Sequence, residues 1–188
     1  MDKIVFDVET KNSFEDVGGY NHIQDLEVSV IGAYSYNQDK YFCFEDKELQ
    51  KFGELLKQAE LLIGFSSKSF DIPVLKKYYN FNIAAIPHFD ILEEIEKILG
   101  RRIGLGLLAE ANIGLSKTSN GLEAITMYQK GEIEKLKNYC LQDVRITKEI
   151  FDFIREKGYL WIPQKNNPQM IKINITFKDI SSSQEKLI

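Results

Sequence analysis

Histidine and cysteine are scarce in this 188-residue chain, with two of each. His22 and His88 stand far apart, and Cys43 and Cys140 match neither a zinc-ligand spacing nor a Cys-x-x-Cys redox pair, so the residues argue against a zinc module, a disulfide scaffold or thiol redox chemistry. Both cysteines sit in apolar stretches and read as plain buried thiols. Proline is also rare, at four residues, and there is neither a low-complexity segment nor an internal repeat. No apolar run approaches the roughly 18 residues of a membrane span, and Met1-Asp2 leads straight into a strand without the basic and apolar regions of a signal peptide. The expectation is a cytoplasmic protein with no membrane partner. Positive charge is not in excess: 24 basic residues face 28 acidic ones, a formal net charge of −4. That balance argues against a general electrostatic grip on a polyanion and leaves room for a local one.

What the chain does have is apolar and aromatic material, 44% and 12% of its residues, enough for the core of one domain. We read residues 1–177 as a single domain and the Ser- and charge-rich 178–188 as a frayed tail. Residues 3–10 form a strand. A polar loop with Gly18-Gly19 follows, placed to serve the strand's end. Residues 28–36 and 40–44 make a hairpin around Asn37-Gln38-Asp39. Asp46 is placed to cap a helix to about residue 58, with Phe52, Leu55, Leu56 and Ala59 as its stripe. The continuous apolar run 61–65 reads as a buried strand parallel to the first. A helix over 71–79 opens at Asp71 and Pro73, a weaker strand covers 84–89, and a helix over 91–99 closes at Gly100. Short helices follow over 105–111 and 122–129, the second capped by Asn120 with Glu123. The periodic helix 132–157 ends at Gly158, and 171–177 alternates as an additional strand.

Four acids stand out. Asp7 and Glu9 share one face of the first strand, where two carboxylates repel unless water or a cation compensates them. Asp71 opens a helix just after a buried strand. Asp143 lies seven residues from both Leu136 and Ile150, near the middle of the long helix's apolar stripe, with Tyr139 one turn earlier on the same side. An acid in such a place requires compensation. Each has an ordinary reading when taken alone: a wet strand end, a helix cap, an ion pair, a core aromatic. Together, without histidine or cysteine beside them, the acids suit a hard cation such as Mg²⁺ or Mn²⁺, the ligand chemistry of two-metal phosphoryl transfer. Setting those four aside leaves 24 acids against 24 bases, so metal loading would change the field an anionic substrate meets. Asp90 reads as a helix cap or a supporting residue, Lys11, Lys68 and Lys117 as loop cations, and Lys76-Lys77-Tyr78-Tyr79 as a basic-aromatic stripe or packed tyrosines.

In Phe6-Asp7-Val8-Glu9-Thr10, in Gly64-Phe65-Ser66-Ser67-Lys68-Ser69-Phe70-Asp71 and in Tyr139-Cys140-Leu141-Gln142-Asp143, the chain resembles the DEDD 3′-5′ exonucleases of the ribonuclease H-like superfamily. It resembles their tyrosine-bearing branch, since the position of the other branch's histidine is Asn138 here. The segment 105–131 is similar to the YprB-type ribonuclease H-like domain. The resemblance implies an α/β fold: a five-stranded mixed sheet, three antiparallel strands first, flanked by helices, with the extra C-terminal strand beyond it. It implies two divalent cations, with Asp7 bridging them, Glu9 and Asp143 completing the first and Asp71 holding the second. Tyr139 would orient the attacking water, and Thr10, Lys11, Ser66, Lys68 and Phe70 would contact substrate. The implied substrate is single-stranded nucleic acid with a free 3′ end, released as nucleoside 5′-monophosphates. Ser66 departs from the family, which commonly has asparagine there. The other readings of the same fold are an adaptor domain without turnover and a structure-specific endonuclease.

Overall fold

The chain is seen in a computed structural model that describes residues 2–115, 121–164 and 167–177. Strand β1 (Asp2–Thr10) lies at the centre of a five-stranded sheet of order β3-β2-β1-β4-β5. Strands β2 (Val28–Ser35) and β3 (Lys40–Glu45) continue from it as an antiparallel meander. Strands β4 (Ala59–Gly64) and β5 (His88–Asp90) add to the other edge in parallel, so the sheet is mixed. β4 arrives through helix α1 (Leu49–Leu56), the crossover that a parallel neighbour requires.

Alternation along β1 divides the core into two layers. Ile4, Phe6 and Val8 face α1 and α2 (Asp71–Leu75), packing with Phe52, Leu55, Leu56, Ile72 and Leu75. Val5, with Leu61 and Ile63 of β4, faces the 25-residue helix α6 (Ile133–Lys157) through Val144, Ile150, Phe151 and Ile154. That side also holds α3 (Ile91–Leu99) and α4 (Leu105–Ile113), while α5 (Gly121–Gln129) lies against α6 through Ala124. Each fully buried aliphatic or aromatic side chain in these layers contributes roughly 2–3 kcal/mol. Two-sided burial explains why β4 reads as a continuous apolar run. Gly100 and Gly158, at φ 66° and 72°, end α3 and α6 in the left-handed conformation that glycine adopts freely.

Several boundaries differ from the sequence expectation. The helix expected from Asp46 begins as a 3-10 turn, Asp46–Glu48, and its capping box is built from Glu45 and Glu48. The helix after Asp71 is α-helical only to Leu75 and tightens into a 3-10 turn at Lys76–Tyr78. The strand expected over 84–89 shrinks to β5, because Ile83–Ala85 forms a 3-10 turn capped by the Asn82 side chain. The additional C-terminal strand is half of a separate two-stranded sheet: β7 (Asn167–Asn174) pairs with β6 (Tyr159–Gln164). β6 was hidden in the sequence because Pro163 reads as a breaker, and an edge hairpin tolerates it. The Asn120 cap, Lys117 and the 178–188 tail lie outside the described residues.

Candidate functional site

The site starts at Asp7 and Glu9, on the face of β1 that looks toward α6. Across the β1–β2 register the partner of Asp7 is Gly32. A Cβ on Gly32 would stand 2.8 Å from Val144 Cγ2 and 3.0 Å from Cys140 Sγ. The missing side chain is what lets α6 approach β1 and β2 closely, carrying Tyr139, Cys140 and Asp143 to the acids. Tyr139 and Asp143 are one turn apart and both buried. Oxygen and sulfur atoms of Asp7, Glu9 and Cys140 all lie within 4.8 Å of one another. Cys140 is the buried thiol expected, and it also touches Asp7. Its Sγ is 3.5 Å from the Asp7 carbonyl oxygen and 3.7 Å from Asp7 Oδ2. Burial, with the Asp7 charge next, raises the thiol well above its usual range, so it keeps its proton and donates it to Asp7.

Asp71 is the first residue of α2, and the helix cap expected of it is absent: Phe70 holds the N-cap position and no side chain bonds there. Burial, followed by the charge of Asp7, pushes its pKa well above the usual carboxylate range, while the backbone of Asp71 itself and of Val8 in β1 acts on the carboxylate in the lowering direction. Its Oδ1 is buried with no hydrogen-bond donor, an arrangement that costs on the order of 1–3 kcal/mol. A cation meets both demands by supplying charge to Asp71 and a partner to that oxygen. Asp7 and Glu9 are the carboxylates of the close cluster, and Asp71 and Asp143 line the same cavity; carboxylate oxygens are the hard donors that suit Mg²⁺ and Mn²⁺.

The loop before Asp71 is braced from below. Ser66 adopts φ 66°, a left-handed conformation unusual for a residue other than glycine or asparagine. Asp90 holds it: Oδ1 accepts the Ser66 amide at 2.9 Å and Oδ2 the Lys68 amide at 2.9 Å. The same Oδ1 accepts Leu92 N and Glu93 N and so caps α3. Capping and support, alternatives in the sequence, are thus one arrangement. Ser67 Oγ bonds His88 Nε2 at 2.8 Å, and a Cβ on Gly64 would collide with Ser67. Burial lowers the His88 pKa to about 4, leaving the ring neutral beneath the loop.

These parts surround a cavity of about 760 Å³. Asp7, Glu9, Thr10, Ser66, Phe70, Asp71, Tyr139 and Asp143 all line it. Phe14 and Tyr20, from the glycine-containing loop, build an apolar wall against Phe70, with ring centroids 5.3 Å apart for Phe14–Tyr20 and 5.9 Å for Phe14–Phe70. Tyr20 Oη donates to the Ser69 carbonyl at 3.1 Å. Two expected substrate contacts are placed elsewhere. Lys11 Nζ lies 2.7 Å from Asp46, and Lys68 Nζ lies 2.7 Å from Glu93. Tyr78 and Tyr79 pack, accepting from Val28 N and donating to the Leu49 carbonyl. The sequence reading missed Arg102, whose Nη2 donates to Ser66 Oγ at 2.6 Å and whose Nη1 meets Glu96 at 3.2 Å. Residues 100–104 carry no periodicity that would single it out.

No helix among the described residues is long and apolar enough to cross a membrane. No curated relative matches the chain. Among solved structures it is similar to a family B DNA polymerase from the hyperthermophilic archaeon Pyrobaculum calidifontis, with a TM-score of 0.62 and 15% identity. The match covers 82% of this chain and 24% of that one, so this chain spans about a quarter of the polymerase's length. At that identity the likeness is one of fold. The family model described as the RNase H superfamily matches residues 4–155, and with its mixed sheet in the order 3-2-1-4-5 the chain belongs to that superfamily.

Proposed function

We propose that this chain is a metal-dependent 3′-5′ exonuclease of the tyrosine-bearing DEDD branch, with a YprB-type ribonuclease H-like domain, acting on single-stranded nucleic-acid ends. The observation that carries the reading is the meeting of Asp7, Glu9, Asp71, Asp143 and Tyr139, from three distant segments, in one cavity. Asp7, Glu9, Asp71 and Asp143 would hold two divalent cations, Mg²⁺ or Mn²⁺. Such cations supply Lewis-acid stabilisation of phosphate charge and a water activated near neutral pH. The Tyr139 hydroxyl orients the attacking water toward the terminal phosphorus. The new oxygen–phosphorus bond forms as the bond to the leaving 3′-oxygen breaks, that oxygen gains a proton, and a nucleoside 5′-monophosphate departs. Phe14, Tyr20 and Phe70 offer an apolar face to unstacked bases, which suits a single strand better than a duplex. Similarity to part of a DNA polymerase agrees with a nucleic-acid substrate.

The test is digestion of 5′-labelled DNA and RNA oligonucleotides with Mg²⁺ or Mn²⁺. The expected products are a ladder shortening from the 3′ end and free 5′-mononucleotides, with 3′-blocked substrates spared. Full-length substrate that stays bound and uncut marks an adaptor, and cleavage of a circular substrate marks an endonuclease. Tyr139→Phe lowers the rate about a hundredfold and leaves metal binding, read by calorimetry, unchanged.

A further inference from the structure

Arg102 has no role in the motifs that identify the site, yet among the described residues it is the only cationic side chain lining the cavity. A substrate with a negative phosphate at each step would enter a space whose other charged residues are Asp7, Glu9, Asp71 and Asp143. The guanidinium is held from two sides. Nη2 donates to Ser66 Oγ at 2.6 Å, and Nη1 donates to Glu96 at 3.2 Å. Those bonds engage two of the five N–H donors of the planar fork, which matches phosphate geometry. The side chain is about half exposed, and its partner Glu96 is 38% exposed, so the pair is solvated rather than locked.

Two features fix where the fork stands. Ser66 is short, and its left-handed backbone is held by Asp90, so its hydroxyl occupies a defined position at the cavity edge. Arg101, the neighbour of Arg102, donates to the Pro163 carbonyl of β6 at 3.2 Å. Ile103 is buried with Leu160 and Ile162 of the same strand. The C-terminal hairpin therefore anchors the connection between α3 and α4 on both sides of Arg102. We propose that Arg102 is a phosphate-holding residue of this site, seated on Ser66 and Glu96, and that it grips the backbone of a single strand entering the acidic cavity. This rests on the exonuclease reading, and it gives Ser66 a purpose: a short hydroxyl leaves room for the guanidinium that it positions.

The test is binding of a short fluorescein-labelled single strand, DNA and RNA of matched sequence, followed by anisotropy across a salt series in Ca²⁺. Arg102→Ala should bind roughly tenfold more weakly, with the slope of log affinity against log salt reduced by about 0.7, one phosphate contact on a single strand. Arg102→Lys keeps the charge and hence the slope, while losing part of the affinity. In digestion, R102A should raise KM and leave kcat nearly unchanged. Lys57→Ala, which removes a charge paired with Glu54 on α1, should change neither binding nor slope. Wild-type affinity and slope in R102A, with wild-type binding intact, overturn the assignment of Arg102 alone. Failure of the wild-type protein to bind either strand overturns the exonuclease reading itself. Loss of affinity in R102A with no change in slope assigns Arg102 a structural role and also overturns the proposal.

Discussion

Asp71 is buried against Asp7, with one oxygen lacking a donor and a pKa pushed well up by burial and by that neighbour's charge. In the metal-free protein this carboxylate opposes folding whenever it is ionised. Asp71→Asn keeps the shape of the side chain and removes the charge. In EDTA it should stabilise the protein against urea, because burial and the Asp7 charge no longer act on an ionisable group there. The same variant should lose the stabilisation that added Mg²⁺ gives the wild type. Loss of stability in EDTA would mean that the carboxylate serves as scaffold first. Asp71 was legible in sequence as an acid opening a helix after a buried strand; its burial and its missing cap were not, because both depend on where α2 meets β1.

At the scale of elements, the site exists because α6 lies close on β1 and β2. Gly32 is the cause: any side chain there meets Val144 and Cys140 at 2.8 and 3.0 Å. Overpacking of this kind costs typically 1–3 kcal/mol. Gly32→Ala should cost about 2 kcal/mol and also weaken Mg²⁺ binding, since α6 must shift and carry Asp143 with it. Gly53→Ala provides the contrast. Its Cβ would meet the Tyr79 ring at 2.8 Å on the opposite layer, so it should lower stability while the calorimetric metal titration stays as in wild type. In sequence, Gly32 is one glycine inside a β-branched run, and its partnership with Asp7 appears only once the register of β1 and β2 is set. The Ser66 loop follows the same logic. Its departure from the family pattern was visible, while Asp90, His88 and Arg102, which surround it, come from segments 22 to 36 residues away.

For the whole molecule, two buried groups respond to acid with opposite sign. His88 has a folded pKa of about 4 against an ordinary 6.5. The unfolded chain binds that proton more readily, so stability is full above pH 6.5 and is lost as pH falls toward 4, by up to about 3 kcal/mol. Asp71 has a raised folded pKa. Its contribution is fully present below the ordinary 3.8 and is lost as pH rises through the folded value. In EDTA the two trends oppose each other, so the His88 loss is partly offset. In Mg²⁺ the ion requires ionised carboxylates, so acid weakens binding and adds to the His88 loss. Denaturation series with and without the metal should give a distinctly steeper acid limb with Mg²⁺. His88→Gln should make the Mg²⁺ curve shallower over pH 4 to 6.5 and leave the EDTA curve falling as pH rises, through Asp71 alone; an unchanged pair of curves would remove His88 from this account.

Local pattern was enough to determine the central strand, the hairpin after it, the long helix and its glycine stop, because period-2 and helical spacing of apolar residues survive in any context. It singled out Asp7, Glu9, Asp71 and Asp143 as candidates too, with Tyr139 one turn from Asp143, since acids beside apolar runs are conspicuous before anything is folded. Tertiary structure decided what surrounds them. It placed Cys140 on Asp7, His88 under Ser67, Arg102 on Ser66, and turned Lys11 and Lys68 toward carboxylates outside the cavity. Those outcomes depend on which charged and polar groups meet across distant segments. Such pairings are set by register, by the close approach that Gly32 permits and by the hairpin that seats residues 101–103, none of which is written in the spacing of residues along the chain.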